Sequence, residues 1–391
     1  TATPSKFPSA GSDMADLQSL KIVHVTRTPV GGTFRHILDV ASGQAAHGHQ
    51  VGIVCDSTTG GDRAEAALAA IAPQMKLGVS RVPIRRELTP GDLKGFIQVS
   101  RQLAALKLDV IHGHGAKGGA FVRLMSAPSA IRVYTPHGGS LHYGHHTFRG
   151  MIYGAIERCL SLRTELFLFE SAFARKTYEA LVGAPRGISR VVPNGISSTE
   201  MVPVAPHSNA ADILRIGELR HIKGIDVLID AVATLHASGR RASLAIAGEG
   251  EDGPVLRDQV ARLGLTDSVR FLGHTPARQA FAQGRLLVIP SRAESLPYVV
   301  IEGGGAGIPM IASAVGGIPE ILGPDGDLVP PDNPARLAEA IAAVLDDPAA
   351  ARAKADRLRE RIRALFSQEA MVDGVLAGYA EAIRAKFTQS H

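Results

Sequence analysis

Residues 21–56 read KIVHVTRTPVGGTFRHILDVASGQAAHGHQVGIVCD. The first six alternate and are rich in β-branched residues, the pattern of a strand. PVGG breaks the run. TFRHILDVASGQAAHGH then brings Phe34, Ile37, Leu38 and Ala41 round at helical spacing, with Thr33 placed as the N-cap. VGIVCD, 51–56, reads as a second strand. Strand, helix and strand joined by short turns imply a right-handed βαβ unit, and with it a parallel sheet.

The same alternation continues outward. LDVIHGH (108–114), RVYTPHGG (132–139), ELFLFES (165–171) and RVVPNGI (190–196) are short apolar runs that end in polar, mostly Gly-containing loops. MVPVAPHSNAAD, about 201–212, is rich in Pro and small residues without a period, and reads as a linker. Strands then resume at ILRIGELR, SLAIAGEG, SVRFLGH, RLLVIPS and PMIAS. Helices are expected at GIDVLIDAVATLHASG, PVLRDQVARLGL and PARLAEAIAAVLDD, with a helix start at PYVVIEGGG. The tail, 350–388, reads as one or two amphipathic helices. Two successive doubly wound α/β domains follow: 20–200, a linker at 201–211, and 212–368. Ligands of such sheets bind beyond the carboxyl ends of the strands, so a cleft between the domains is the expected site.

Bulk properties agree with this. A chain of 391 residues is too long for one ordinary core, and 45 % hydrophobic with 20 % charged residues is a soluble globular composition. There is no run of about 18 apolar residues to span a membrane. The opening 1–19 is polar, lacks the apolar stretch of a secretory signal, and reads as a disordered tail. The two cysteines, Cys55 and Cys159, lie outside any CxxC, which argues against a disulfide framework and suits a reducing cytoplasm. Residues 1–200 carry 22 Lys and Arg against 14 Asp and Glu, whereas the rest is slightly acidic. A basic first half suits an anionic partner, either a phosphorylated substrate or the inner face of an anionic membrane. Segment 142–163 mixes cations with apolar groups and is open to the membrane reading or to plain core packing.

Several motifs carry chemistry. Gly31 and Gly32 sit at the first βα turn, where backbone N–H groups can approach a phosphate. Arg220 and Lys223 in GELRHIKG stand three apart at a helix start, a good diphosphate clamp. His137 follows a strand between Pro136 and glycines, an exposed and positioned side chain. His112 and His114 have the spacing of a metal pair, but no nearby Cys or acid completes a site, so no metal is expected. GEGEDG, 248–253, matches G-x-G-x-x-G, yet its three acids would crowd a pyrophosphate, so it suits the edge of a nucleoside better than a dinucleotide. In PSRAESLPYVVIEGGGAGIP, 290–309, Pro297 divides Glu294 in a loop from Glu302 in a helix. A buried unpaired acid costs about 2 kcal/mol or more, so both carboxylates are expected to be satisfied by ligand hydroxyls.

Taken together, GGTFRHILDVASGQAAHGHQV, DVIHGHGAKGG, YTPHGG, VVPNGI, GELRHIKGIDVLIDA, AIAGEGEDGPVLR, VRFLGH and the 290–322 segment resemble the retaining glycosyltransferases of family 4, also called group 1, over roughly residues 21–385. The resemblance implies the GT-B fold, with two Rossmann-like domains and a last helix, 369–388, crossing back to the first. It implies a nucleoside diphosphate sugar of UDP or GDP type as donor, a sugar or lipid-linked sugar as acceptor, no metal cofactor and no nucleic acid. Glu294 would contact the donor sugar, with Ser295 and Leu296 beside it, and Glu302 the ribose. Arg220 and Lys223 would hold the diphosphate, and the Gly31–Gly32 turn would approach it. His137 would contact the hexose near the anomeric carbon. Backbone around Gly248, Gly250 and His274 would frame the base.

Two departures stand out. Many members have Arg where this chain has Glu218, and EGGGAG replaces a usual E-A-M-A, putting three glycines inside a helix at up to about 1 kcal/mol each. With no second carboxylate placed as a nucleophile, a front-face transfer is expected, a donor phosphate oxygen assisting deprotonation. The rival readings are a GT-B-fold nucleotide-sugar epimerase and an inactive nucleotide-sugar-binding subunit.

Overall fold

The computed structural model describes residues 19–85, 91–138 and 148–388. The tail at 1–18 and the first part of the 142–163 segment lie outside them. The chain divides into two compact units, residues 1–192 with 368–391, and residues 193–367.

The first unit alternates strands and helices: β1 (Lys21–Thr26), α1 (Gly31–Ala46), β2 (Gln50–Asp56), α2 (Gly61–Ile71), β3 (Val79–Val82), α3 (Gly91–Ala104), β4 (Val110–His114), α4 (Gly115–Leu124), β5 (Ile131–Thr135), α5 (Phe148–Ser161), β6 (Leu166–Phe169), α6 (Ala172–Val182) and β7 (Ile188–Val191). Its seven strands run parallel in the order β3-β2-β1-β4-β5-β6-β7. The order reverses between β1 and β4, which opens a crevice at their carboxyl ends. Helix α1 starts at Gly31, with Val30 as N-cap and no side-chain cap, so Thr33 lies inside the first turn.

The second unit holds β8 (Ala211–Ile216), α7 (Ile225–Ala237), β9 (Leu244–Ala247), α8 (Gly253–Arg262), β10 (Val269–Gly273), α9 (Ala277–Phe281), β11 (Gly284–Ile289), α10 (Tyr298–Gly305), β12 (Met310–Ser313), α11 (Ile318–Leu322), β13 (Asp327–Val329), α12 (Pro334–Asp346) and α13 (Pro348–Leu365). Its parallel order is β10-β9-β8-β11-β12-β13, with the switch point between β8 and β11. The last helix, α14 (Gln368–Thr388), belongs to the first unit, where Met371, Val372, Leu376 and Tyr379 join the core under β4, β5 and β6.

The Pro-rich stretch read as a linker is instead part of the second unit. Ile196 and Met201 are buried in its core, and Asn194 Nδ2 donates to the Leu296 carbonyl at 2.9 Å. The chain therefore passes between units near residue 192, before the stretch that looks like a linker.

The three glycines of α10 have a packing reason. A Cβ on Gly303 would lie 2.5 Å from Leu287 Cδ2 and 2.8 Å from Met310 Cε. One on Gly304 would lie 3.0 Å from Ile362 Cγ1, and one on Gly305 2.6 Å from Ile196 Cδ1. The helix is pressed on three sides, by the sheet, by α13 and by the 193–201 segment. The close approach is by side chains, and lost helix propensity is exchanged for tight burial of α10 at the strand ends.

Candidate active site

At the β8–β11 switch point the second unit brings together a set of charged groups. The loop after β8 and the loop after β11 are locked together. A Cβ on Gly224, at φ +63°, would fall 2.0 Å from the Pro290 carbonyl oxygen, so only glycine lets the two loops touch. Arg292 completes the lock. Its N–H donates to the Ile222 carbonyl at 2.9 Å, and its guanidinium makes a bidentate pair with Asp226 at 2.8 and 2.7 Å. Burial alone would raise the Asp226 pKa, but these Arg292 bonds hold it below the usual carboxylate value.

Lys223 and Glu294 meet inside this lock. Lys223 Nζ donates to both Glu294 oxygens, at 2.7 and 2.9 Å, and Ser291 Oγ donates to Glu294 Oε1 at 2.8 Å. Glu294 thus already has a cation and a hydroxyl, where ligand hydroxyls were expected to satisfy it. Beneath the pair lies Arg215 of β8, 2 % exposed, with no partner for Nε and Nη1. Burial brings its pKa down to about 10, with the charge of Glu294 opposing that fall. Within this trio one carboxylate faces two cations, Lys223 bonded to it and Arg215 buried beneath. The sequence signal for Arg215 was an arginine inside the strand run ILRIGE, flanked by apolar residues.

The two clamp residues diverge. Arg220 turns to acids, Glu251 at 3.4 Å and Glu218 at 3.6 Å, while Lys223 turns to Glu294. The loop glycines have a backbone role. A Cβ on Gly248 would meet the Gly217 oxygen at 2.0 Å, and Gly250 stands in the same relation to the Leu219 oxygen at 2.3 Å. They let the loops after β8 and β9 zip together through Leu219 N–H to the Glu249 carbonyl at 3.0 Å. His274 is exposed at the end of β10, its N–H 3.4 Å from Glu249 Oε1. The Ser295 carbonyl accepts from Gly317 at 2.6 Å, and the Leu296 side chain is buried in the core. Leu296 therefore serves packing through its side chain. Glu302 lies within α10, behind Pro297, which is the N-cap and not the first helical residue.

In the first unit Gly31 and Gly32 are exposed at the start of α1, with Gly31 at φ +68° and open space where a Cβ would be. His137 follows β5 at φ +50°, a conformation uncommon for a side-chain-bearing residue. It joins a cluster that the sequence reading missed. His36 from α1 and His114 from β4 touch it, and His24 from β1 and His112 from β4 pack behind His114, the contacting ring centroids lying 3.9–5.8 Å apart. Burial pushes His24 to about 4 and holds His112, His114 and His137 well below the ordinary value, so all four are neutral near pH 7. Parallel pairing of β1 with β4 puts His24 beside His112, a contact no chain spacing reveals.

Ligand atoms of His24, His112 and His114, and of His36, His114 and His137, lie within 4.8 Å of one another. The sequence reading found no third ligand; β1 supplies His24 to one group, and α1 and the loop after β5 supply His36 and His137 to the other. Yet both ring nitrogens of His24, His112 and His114 are already hydrogen-bonded: His24 to His114 and Gln44, His112 to Tyr379 and Thr135, and His114 to His24 and His137. Among the described residues no helix is long and apolar enough to cross a membrane. Helix α5, within the segment open to membrane contact, turns Met151, Ile152 and Ile156 outward while Glu157 is buried against Arg123.

Two family models match the chain: glycosyltransferase family 4 over residues 30–200 and glycosyl transferases group 1 over residues 210–347. A glycogen synthase of Mycobacterium tuberculosis is 26 % identical over 390 residues, covering 91 % of this chain and 92 % of that protein. The alpha-D-kanosaminyltransferase of Streptomyces kanamyceticus is 31 % identical over 174 residues, 43 % of this chain and 45 % of that one. Among solved structures, Anabaena HepE in complex with UDP matches with TM-score 0.78 at 19 % identity, over 93 % of this chain and 100 % of that one. Sucrose-phosphate synthase of Thermosynechococcus elongatus matches with TM-score 0.75 at 22 % identity, over 94 % and 100 %. These likenesses show the fold, that of the GT-B glycosyltransferases.

Proposed function

We propose, from the premise that the chain belongs to the glycosyl transferases of group 1, that it moves a hexosyl unit from a UDP- or GDP-linked sugar to an acceptor hydroxyl with anomeric configuration retained. The product would be a cell-surface or extracellular polysaccharide or a glycolipid. The observation that carries this reading is the charge set at the β8–β11 switch point, one carboxylate held between Lys223 and the partly unpartnered Arg215. A diphosphate is the ligand whose charge answers the two cations of that trio.

The chemistry follows from an exchange of partners. As the anomeric C–O bond breaks, negative charge grows on the leaving diphosphate. Lys223, the more exposed of the two cations, exchanges Glu294 for that charge and stabilises it there. Glu294, relieved of its lysine, accepts hydrogen bonds from the sugar hydroxyls, while Ser291 and the charge of Arg215 keep it in place. Glu302, on the helix behind, reads the ribose. Arg220 reaches the diphosphate only by leaving Glu218 and Glu251, so its share of the clamp is smaller than that of Lys223.

Calorimetric titration with UDP and GDP tests the reading. Lys223→Ala is expected to weaken the nucleotide that wild type prefers by about tenfold or more, the worth of a charge-assisted bond. Equal affinity in the variant removes Lys223 from the clamp. Binding of neither nucleotide to wild type removes the donor site itself.

A further inference from the structure

The histidine cluster of the first unit has a direction. Gln44 of α1, 0 % exposed, turns its amide nitrogen toward Tyr379 Oη at 3.4 Å and its oxygen toward His24 Nε2 at 2.8 Å. An amide oxygen only accepts, so His24 Nε2 carries the hydrogen. Because burial keeps His24 neutral, its Nδ1 is bare and accepts from His114 Nε2 at 2.9 Å. The same logic makes His114 Nδ1 bare, accepting from His137 Nε2 at 3.0 Å. His137 is neutral in turn, so its Nδ1 is a lone pair, and it has no partner among the described residues. His112 is hydrogen-bonded at both ring nitrogens, Nδ1 with Tyr379 Oη at 2.7 Å and Nε2 with Thr135 Oγ1 at 2.8 Å, and each hydroxyl can serve either tautomer.

We infer that the chain Gln44–His24–His114–His137 sets one tautomer through three imidazoles and makes His137 Nδ1 a fixed hydrogen-bond acceptor that reads a hydroxyl hydrogen of a sugar. His137 is the one partly exposed member, and its ring is aimed by two successive left-handed residues, at φ +50° for His137 and +75° for Gly138. A phosphate or carboxylate oxygen offers only lone pairs to this nitrogen and is refused. A sugar hydroxyl offers a hydrogen and is accepted. Gln44 touches no ligand and acts as a positioning residue through two imidazoles. This rests on the sugar-transfer reading above for the identity of the hydroxyl, and adds the polarity device. The saturation of both nitrogens in His24, His112 and His114 favours it over a metal centre.

Long-range proton–nitrogen NMR of the full chain at pH 7.5 reads the tautomers, with assignments from single His→Gln variants. The expected result is neutral, Nε2-protonated rings for His24, His114 and His137. Nδ1–H or an imidazolium at His137 overturns the inference. So does the binding of one equivalent of Zn²⁺ with loss of these signals. In Gln44→Met the single pattern is expected to break down. Turnover of whichever nucleotide sugar wild type consumes should fall about tenfold, the worth of one neutral hydrogen bond, with UDP and GDP affinity unchanged. A folded Gln44→Met variant that keeps both the pattern and the turnover overturns it as well. The wild-type spectrum decides the matter even if that variant does not fold. Failure of wild type to consume any nucleotide sugar sinks the proposed function, while the tautomers still decide the chain.

Discussion

Glu294→Gln is expected to lower turnover of the nucleotide sugar by about 10²–10³-fold, the range for removing one preorganised charged contact from a reacting centre. Gln keeps the volume and the bond to Ser291 Oγ but removes the charge that Lys223 and Arg215 share. The consequence for binding runs the other way. Lys223 is then no longer held at 2.7 Å by a carboxylate, so it is free to meet a diphosphate. UDP or GDP should bind the variant at least as tightly as wild type while turnover collapses. That split separates a chemical role from general damage to the site. Normal turnover in the folded variant sinks the assignment of Glu294. Loss of nucleotide affinity in proportion to turnover shows that the pair is structural.

The largest expected effect on stability lies in the first unit. Arg123 of α4 is 0 % exposed and makes a bidentate pair with Glu157 of α5 at 2.7 and 3.1 Å. Its Nε donates to the Gly119 carbonyl at 3.0 Å, its guanidinium lies 3.7 Å from the Tyr134 ring centroid, and Tyr134 Oη donates to Glu157 at 3.2 Å. Arg123→Ala leaves the Glu157 carboxylate buried without its cation, and such a loss costs about 3–5 kcal/mol. Removing both charges with apolar groups of similar size, Arg123→Met with Glu157→Leu, is expected to cost clearly less, because no charge is stranded. Urea unfolding of the two variants and wild type checks this. A single variant no less stable than the double one contradicts it.

Much of the fold was legible because the strand ends are punctuated. PVGG, YTPHG and PSRAES each mark where an apolar run stops, and each lies at the carboxyl edge of a sheet. Short elements without a period escaped, β3, β13 and α9 among them, because three to five residues carry no usable alternation. The boundary near residue 192 escaped for a different reason. Proline and small residues read as a linker, but burial of Ile196 and Met201 is a tertiary fact. At the site, Glu294 and Lys223 were found by their loops, yet their pairing was hidden, since 71 residues separate them. The histidine cluster was half visible. His112 and His114 lie in one strand, whereas His24, His36 and Gln44 reach them only through the β1–β4 pairing and the packing of α1. A polar residue inside an apolar strand run, as at His24 and Arg215, was the signal that would have led to both.

The most direct measurement is release of nucleoside diphosphate when the purified full chain is incubated with a panel of UDP- and GDP-linked hexoses, alone and with sugar acceptors. The expected result is that one donor is consumed, that an acceptor speeds its consumption, and that the new glycosidic bond keeps the donor's anomeric configuration by NMR. Release from none of them, or conversion of a donor to its epimer with no diphosphate set free, would contradict glycosyl transfer.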